Sequence, residues 1–352
     1  MRIKFCLLNV LAALLFLSSS CDNTLDLTAD YKDISFTYAM LDLKDTVHYF
    51  KIYKGFLTDE NAFEAAYDWG NIYYPVDSIE VRLEEYSEDG VRLRSAVLDT
   101  TTQVEKQSGS FANPRQLLYY STWQLDKDHI YRLVIRHVNT GEEVYAETPL
   151  VGNTSFRYPM QTWNMNQDKA STIRFYAAKN AAAYDLYLNF HYVEVNKETG
   201  AVAHKVISKK INSDFIRSTT SDEVSYVGFV PKSLYTIIAQ NLEPDDKVVR
   251  YIDAIDGYSY NCIRLQLWAA NKTFLDYYNV SHPNSSIVQN RLEYTNFISG
   301  SRNAYGILAS RNYCSRDLQF SPMEHNEDTL VMGAATGHLG FRYYRESPLA
   351  GK

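Results

Sequence analysis

The nearest approach to a nucleophilic serine in this 352-residue chain is Gly257-Tyr258-Ser259-Tyr260-Asn261. Hydrolases of the α/β type hold their serine on a tight strand-to-helix elbow, written G-x-S-x-G, where the flanking positions must be small. Asn261 stands where the second glycine is needed and no helical pattern follows, so the segment reads as a turn. No H-E-x-x-H occurs, and the 8 histidines are dispersed. His325-Asn326-Glu327-Asp328 sets an imidazole beside carboxylates, in a polar stretch after Pro322 that reads as a solvated loop. His191 and His204 flank a turn at Asn196 to Gly200 as cross-strand neighbours, which makes two candidate metal ligands without a third. In Asp253-Ala254-Ile255-Asp256-Gly257 the acids fall at positions 1 and 4, not at the 1, 3 and 5 of a calcium loop. A glycosidase needs two carboxylates facing each other across a sugar, a long-range pairing with no local signature among 42 acidic residues. Glu84, Glu85, Glu88 and Asp89 read as the wet end of a hairpin. No catalytic residue, metal site or cofactor is expected from these motifs.

Binding is better represented than catalysis. Tyrosine is the compositional outlier, at 29 residues against 16 Phe and 4 Trp. Its apolar body and polar tip suit both sandwich faces and contact surfaces. In Tyr67-Asp68-Trp69-Gly70-Asn71-Ile72-Tyr73-Tyr74, between strand signals, Trp69, Tyr73 and Tyr74 are the candidate ligand-binding residues. Exposed on a loop they would stack on a glycan or a peptide; the alternative is packing at the sandwich edge. Trp163 and Trp268 read as structural. Cys262 and Cys314 are a candidate disulfide in an oxidising compartment, with two free buried thiols as the other reading, since pairing needs Cα atoms within about 7 Å.

The front of the chain speaks about location. Arg2 and Lys4 precede an apolar run from Phe5 to Leu17, and Ser18, Ser19 and Ser20 lead into Cys21. That is the layout of a secretory signal peptide, with an apolar run shorter than the roughly 20 residues of a permanent membrane helix. Small residues running into a cysteine resemble the bacterial lipobox, with Leu17 one place farther out than the strict motif has it. Cleavage before Cys21 and acylation of its thiol, with palmitate among the chains, are therefore expected. The acidic, aromatic-free segment Asp22 to Asp30 reads as a tether. Without Arg2 and Lys4 the 35 basic residues become 33 against 42 acidic, a mature net charge of about −9, which argues against nucleic acid as a partner.

Strands must carry most of these side chains. Ile79 to Glu84 alternates strictly, Ser87 to Gly90 turns, and Val91 to Arg94 alternates again. Tyr131 to Arg136 and Val144 to Thr148 form a second hairpin around Asn139 to Glu142, closed by Pro149. Short strands at this spacing predict a mostly β chain whose N-terminal module, residues 31–150, is an immunoglobulin-like or fibronectin-like sandwich. Val151 to Gln167 reads as a connection into a second β-rich domain, residues 151–352, with one or two helices. There Tyr184, Leu186, Leu188, Phe190 and Tyr192 share one strand face, and Asn196 to Gly200 turns into a partner at Val202 to Ile211. Leu234, Ile237, Ile238 and Leu242 recur at helical spacing between Pro231 and Pro244. Further strands are expected at Ile263 to Ala269, Phe274 to Val280 and Tyr305 to Ser310.

The module ending in Tyr131-Arg132-Leu133 and Ala146-Glu147-Thr148-Pro149, then Thr273 to Val280, Tyr294-Thr295-Asn296-Phe297 and Tyr305-Gly306-Ile307-Leu308-Ala309-Ser310-Arg311, resembles the Bacteroidota lipoproteins grouped as domain of unknown function 4249. Phe297 and Leu308 stand where that family has Ile and Phe, with Gly300 in its glycine-rich part. The resemblance implies an outer-membrane lipoprotein that accompanies a TonB-dependent receptor, and it supplies no catalytic residues. The expected function is a non-enzymatic binding or accessory lipoprotein, anchored in the outer membrane and facing the periplasm or the cell surface. A fimbria-like structural protein and a hydrolase with dispersed residues are the alternatives.

Overall fold

The computed structural model describes residues 33–58, 61–106, 115–217, 224–257, 260–282, 294–300 and 303–350. Cys21, the leader and the tether lie outside them. Strand takes 47% and helix 15%, so the mostly β class expected from the alternation holds.

The first half supplies β1 (Ile34–Asp42), β2 (His48–Lys54), β3 (Ile79–Tyr86), β4 (Arg92–Val97), β5 (Asp99–Thr101), β6 (Leu118–Ser121), β7 (Ile130–His137) and β8 (Glu143–Pro149). Two short helices, α1 (Ala62–Ala65) and α2 (Trp69–Ile72), interrupt it between β2 and β3. Next come β9 (Ser155–Tyr158), β10 (Thr162–Trp163), β11 (Ser171–Tyr176), β12 (Ala181–Asn196), β13 (Val202–Lys210), β14 (Val224–Phe229), α3 (Ser233–Asn241) and β15 (Val248–Ile252). The chain finishes with β16 (Asn261–Asn271), α4 (Lys272–Ser281), β17 (Ile298–Ser299), β18 (Asn303–Phe320) and α5 (Asn326–Met332).

The largest sheet runs β13-β12-β16-β18-β1-β2-β6-β5, with β15 on β12 and β10 on β18. Its β1-β2-β6 end packs against a second sheet, β17-β8-β7-β3-β4, to make the N-terminal sandwich. Period two decides which side chains meet. Ala39 and Leu41 of β1, with Phe50 and Ile52 of β2, face Val81 and Leu83 of β3 and Leu133 and Ile135 of β7. At the other end Leu186, Leu188 and Phe190 of β12 and Ile263, Leu265 and Leu267 of β16 form a second core with Ile173 and Phe175 of β11. Leu234, Ile237 and Ile238 of α3 close that core, as their spacing of i, i+3 and i+4 requires.

β18 belongs to both ends. From Asn303 to Arg311 it runs parallel to β1, and from Arg311 to Gln319 it runs antiparallel to β16. Phe297, Ala304 and Leu308 fill the first core although they lie far beyond residue 150. Parallel neighbours cannot be joined by a hairpin, so β1 receives its partner only after the rest of the chain has been laid down.

Phe274 to Val280, expected as a strand, is the helix α4. Its composition of Phe, Tyr and Val favours strands. The Asn271 side chain, however, accepts the Phe274 N–H as an N-cap, and Lys272 pairs with Asp276 one turn on. Only Leu275 is buried, so the aromatic residues ride on the surface of a helix.

Candidate binding groove

The groove begins with the outward positions of β1 and β2. Burial of Ser35, Thr37, Ala39 and Leu41 turns Phe36, Tyr38 and Met40 to the opposite face. The register places Tyr305, Phe36 and Tyr53 in one cross-strand row and Ile307, Tyr38 and Lys51 in the next. Phe36 stacks on Tyr305 with ring centroids 5.7 Å apart, and Tyr38 meets the Tyr277 ring of α4 edge-on at 6.3 Å. Such pairs stiffen an aromatic floor without covering it. The segment after β2 and the end of α2 form the wall, giving a cleft of about 560 Å³ lined by Phe36, Tyr38, Lys51, Tyr53, Lys54, Phe56, Ile72, Tyr73 and Lys106. Across Tyr38 lies a second depression of about 410 Å³, with Met40, Asp45, Val47, Tyr49, Ile307 and Arg311 around it. Together they trace one groove along β1.

Three lysines, Lys51, Lys54 and Lys106, line the larger depression. Burial, and then the charge of Lys106, holds the Lys51 ammonium below its ordinary pKa, and its Nζ lies 5.0 Å from the Tyr53 ring centroid. Lys51 and Lys54 take part in no ion pair among the described residues. Half-buried positive charge without a carboxylate is costly in a folded protein, and it is relieved by an anion.

The three aromatic residues proposed from sequence divide between wall and core. Tyr73 is 2% exposed, packed on Trp69 at 4.3 Å and on Tyr53 at 5.4 Å, and burial raises its phenol pKa. Tyr74 is 7% exposed and donates to Asp33 at 2.7 Å. The expectation that both project from a loop is therefore corrected: Asp68 caps α2 by accepting the Gly70 N–H, and the turn of helix drives the two tyrosines inward. Trp69 is half-buried, and Tyr73 lines the cleft as part of its wall. Sequence reasoning missed Phe36, Tyr38, Lys51 and Tyr53. Their signal was available, because Phe36-Thr37-Tyr38 and Tyr49-Phe50-Lys51-Ile52-Tyr53 put aromatic residues on the face opposite a buried one.

The other candidates also moved. Glu84 and Glu85, expected in water, are 3% and 5% exposed. Period two continues from Ile79, Val81 and Leu83 to Glu85, which ends on the inner face of β3. There Glu85 accepts from the Tyr131 hydroxyl at 2.6 Å, from His129 Nδ1 at 2.9 Å and from Arg94 Nε. Burial pushes its carboxyl up, but the three donors outweigh it and hold the pKa below the ordinary glutamate value. Tyr131 also receives the Asp126 N–H at 2.8 Å, so this cluster pins the start of β7. His325 to Asp328 is not a loop but the entry to α5, with His325 left-handed at φ 51° and 2.7 Å from Asp328. Asn326, 1% exposed, fixes that entry by donating to the Trp163 carbonyl and accepting the Met165 N–H. Glu327 lies in a cleft of about 210 Å³ with Tyr260, Tyr343 and Arg345, and burial raises its carboxyl pKa.

His191 faces Val206 and His204 faces Val193, so the two are not directly opposed, and His204 binds Asp253 at 2.7 Å. No group of three or more metal-ligating side chains occurs among the described residues. Ile255–Gly257 is a turn of 3-10 helix; Tyr258 and Ser259 lie outside the described residues. The candidate disulfide is not formed, and Cys262 and Cys314 are free. Cys314 pairs with Leu267, five positions along β16 from Cys262, which is about 16 Å of strand against the roughly 7 Å a disulfide spans. No helix among the described residues is long and apolar enough to cross a membrane.

No family model and no curated protein matches the chain. Among solved structures it is similar to the C-terminal globular domain of an oligosaccharyltransferase from Pyrococcus abyssi, at 14% identity and a TM-score of 0.25, over 61% of this chain and 43% of that one. At that score the likeness carries no argument about function, and the chain spans less than half of that structure's length.

Proposed function

We propose that this chain is a lipid-anchored, non-enzymatic binding module of the outer membrane that holds its ligand in the groove along β1. The observation that carries the reading is the pairing of an aromatic floor, Phe36, Tyr38 and Tyr53, with Lys51 and Lys54 in one concave surface. Concavity, apolar lining and a few placed polar groups are what a binding site needs. The lipobox-like end of the leader and the resemblance to the domain of unknown function 4249 lipoproteins support anchoring at Cys21 and a TonB-dependent receptor as partner. A glycan and peptide array probed with the full chain and with its Tyr38→Ala, Tyr53→Ala variant tests the reading. Signals lost in a variant whose melting is unchanged uphold it, and identical array patterns sink it.

A hydrolase remains a second reading on one observation, the elevated carboxyl of Glu327 beside His325, Tyr260 and Tyr343. A carboxyl whose pKa is raised is a candidate proton donor to a leaving group. Turnover of an array substrate that disappears in Glu327→Gln would favour it over the binding module.

A further inference from the structure

We infer that the groove takes an extended acidic polysaccharide, with sugar faces lying on Phe36, Tyr38 and Tyr53 and carboxylates reaching Lys51 and Lys54. The inference rests on the binding-module reading and names the ligand class of that same groove. Its first support is shape. The two depressions adjoin at Tyr38, which is 37% exposed between them, so a single small molecule would fill one and leave the other open. A chain running along β1 occupies both.

The second support is backbone chemistry. β1 is paired on one side by β18 and on the other by β2, so the strand along which the groove runs offers no free edge. A peptide cannot dock by adding a strand to β1. Along β1 the ligand is held by side chains, and in the larger depression the rings of Phe36, Tyr38 and Tyr53 stand beside the ammonium groups of Lys51 and Lys54. Rings offer large apolar faces with little conformational entropy to lose, which suits the C–H faces of sugars.

Charge makes the third. The chain as a whole carries a net charge of −7, yet Lys51, Lys54 and Lys106 converge on one cleft. Asp45 is the acidic side chain at the far end of the groove. Screening limits exposed charges to about 8 Å at physiological salt, so the local lysines, and not the net charge, decide what is held inside. Carboxylates on the sugars would neutralise Lys51, whose ammonium is half-buried against the Tyr53 ring.

Isothermal titration of the full chain with oligogalacturonate, with a neutral cello-oligosaccharide of equal length and with oligoglutamate tests this. Oligogalacturonate should bind, and binding should weaken on going from roughly 50 to 500 mM salt. Lys51→Gln with Lys54→Gln should lower the affinity about tenfold, and Tyr53→Leu should lower it independently of salt. Circular dichroism melting of each variant separates lost binding from lost folding, and Lys54→Gln alone serves if the double variant is unstable. Equal binding of the neutral oligomer overturns the acidic ligand while leaving the binding module standing. Equal binding of oligoglutamate overturns the sugar. No binding of oligogalacturonate, or binding unchanged in all the groove variants, ends the inference, whereas the array comparison judges the broader reading separately.

Discussion

A Cβ added to Gly306 would sit 1.9 Å from the carbonyl oxygen of Thr37. The two residues face each other across the parallel β1 and β18 pair, and Gly306 has φ 109°, a conformation that L side chains rarely adopt. Close approach and positive φ both demand glycine. Gly306→Ala should therefore cost about 3 kcal/mol or more, because backbone and not a flexible side chain must give way. Urea denaturation reads the cost, and a loss under about 0.5 kcal/mol would show that the strands can separate freely there.

Because β18 joins β1 to the rest of the chain, residues 33–150 expressed alone should not reach the native sandwich. The fragment lacks Phe297, Ala304 and Leu308 in its core and leaves the β1 edge open. Amide dispersion in a two-dimensional NMR spectrum checks this: collapsed, broadened peaks are expected, and a sharp β spectrum would refute it.

Trp69→Ala with Tyr73→Ala should unfold the protein at lower temperature and lower denaturant, since Tyr73 is 2% exposed between Trp69 and Tyr53. Truncating a buried aromatic residue costs about 3 kcal/mol. Tyr38→Ala, on the groove floor, should change the melting point little. Equal effects of the two changes would contradict the division between wall and floor.

Glu85 sets an acid limb in the stability. Its carboxyl titrates below the ordinary glutamate value in the folded chain, so the unfolded chain binds the proton more readily. The stabilisation is present above the ordinary value and is lost as pH falls through the lower, folded one. Glu85→Gln should cost about 2 kcal/mol at neutral pH and shrink that limb. A denaturant midpoint measured against pH that is unchanged by the substitution would show that Tyr131, His129 and Arg94 do not depend on the charge.

Glu327 has the opposite sign. Burial raises its carboxyl pKa, so the folded chain favours the protonated form. Its contribution is fully present below the ordinary glutamate value and declines as pH rises through the elevated one. Glu327→Gln keeps an oxygen for the Tyr344 N–H and removes a half-buried carboxylate, so neutral-pH stability should hold or rise. A fall at neutral pH would mean that the ionised form is the stabilising one.

Local order was largely legible from the residues themselves. The alternation at Ile79 to Glu84 and Tyr131 to Arg136 marks β3 and β7, and the spacing of Leu234, Ile237 and Ile238 marks α3. Asn196 to Gly200 is another local success: Asn196 accepts the Glu198 and Thr199 N–H groups, and Gly200 takes φ 70°. In each case the determining contacts lie within a few residues, so residue type and period suffice. The groove is different. Phe36 and Tyr305 stand 269 positions apart in sequence and meet only because β18 returns beside β1. Lys51 and Lys106 share a cleft for a similar reason, and Glu85 is buried because His129, Tyr131 and Arg94 come to it from other strands. Period two told which face each of these side chains would take. Which strands supplied the neighbours was decided by tertiary pairing, since the hydrogen bonds of a parallel ladder leave no periodic mark of their partner on either strand.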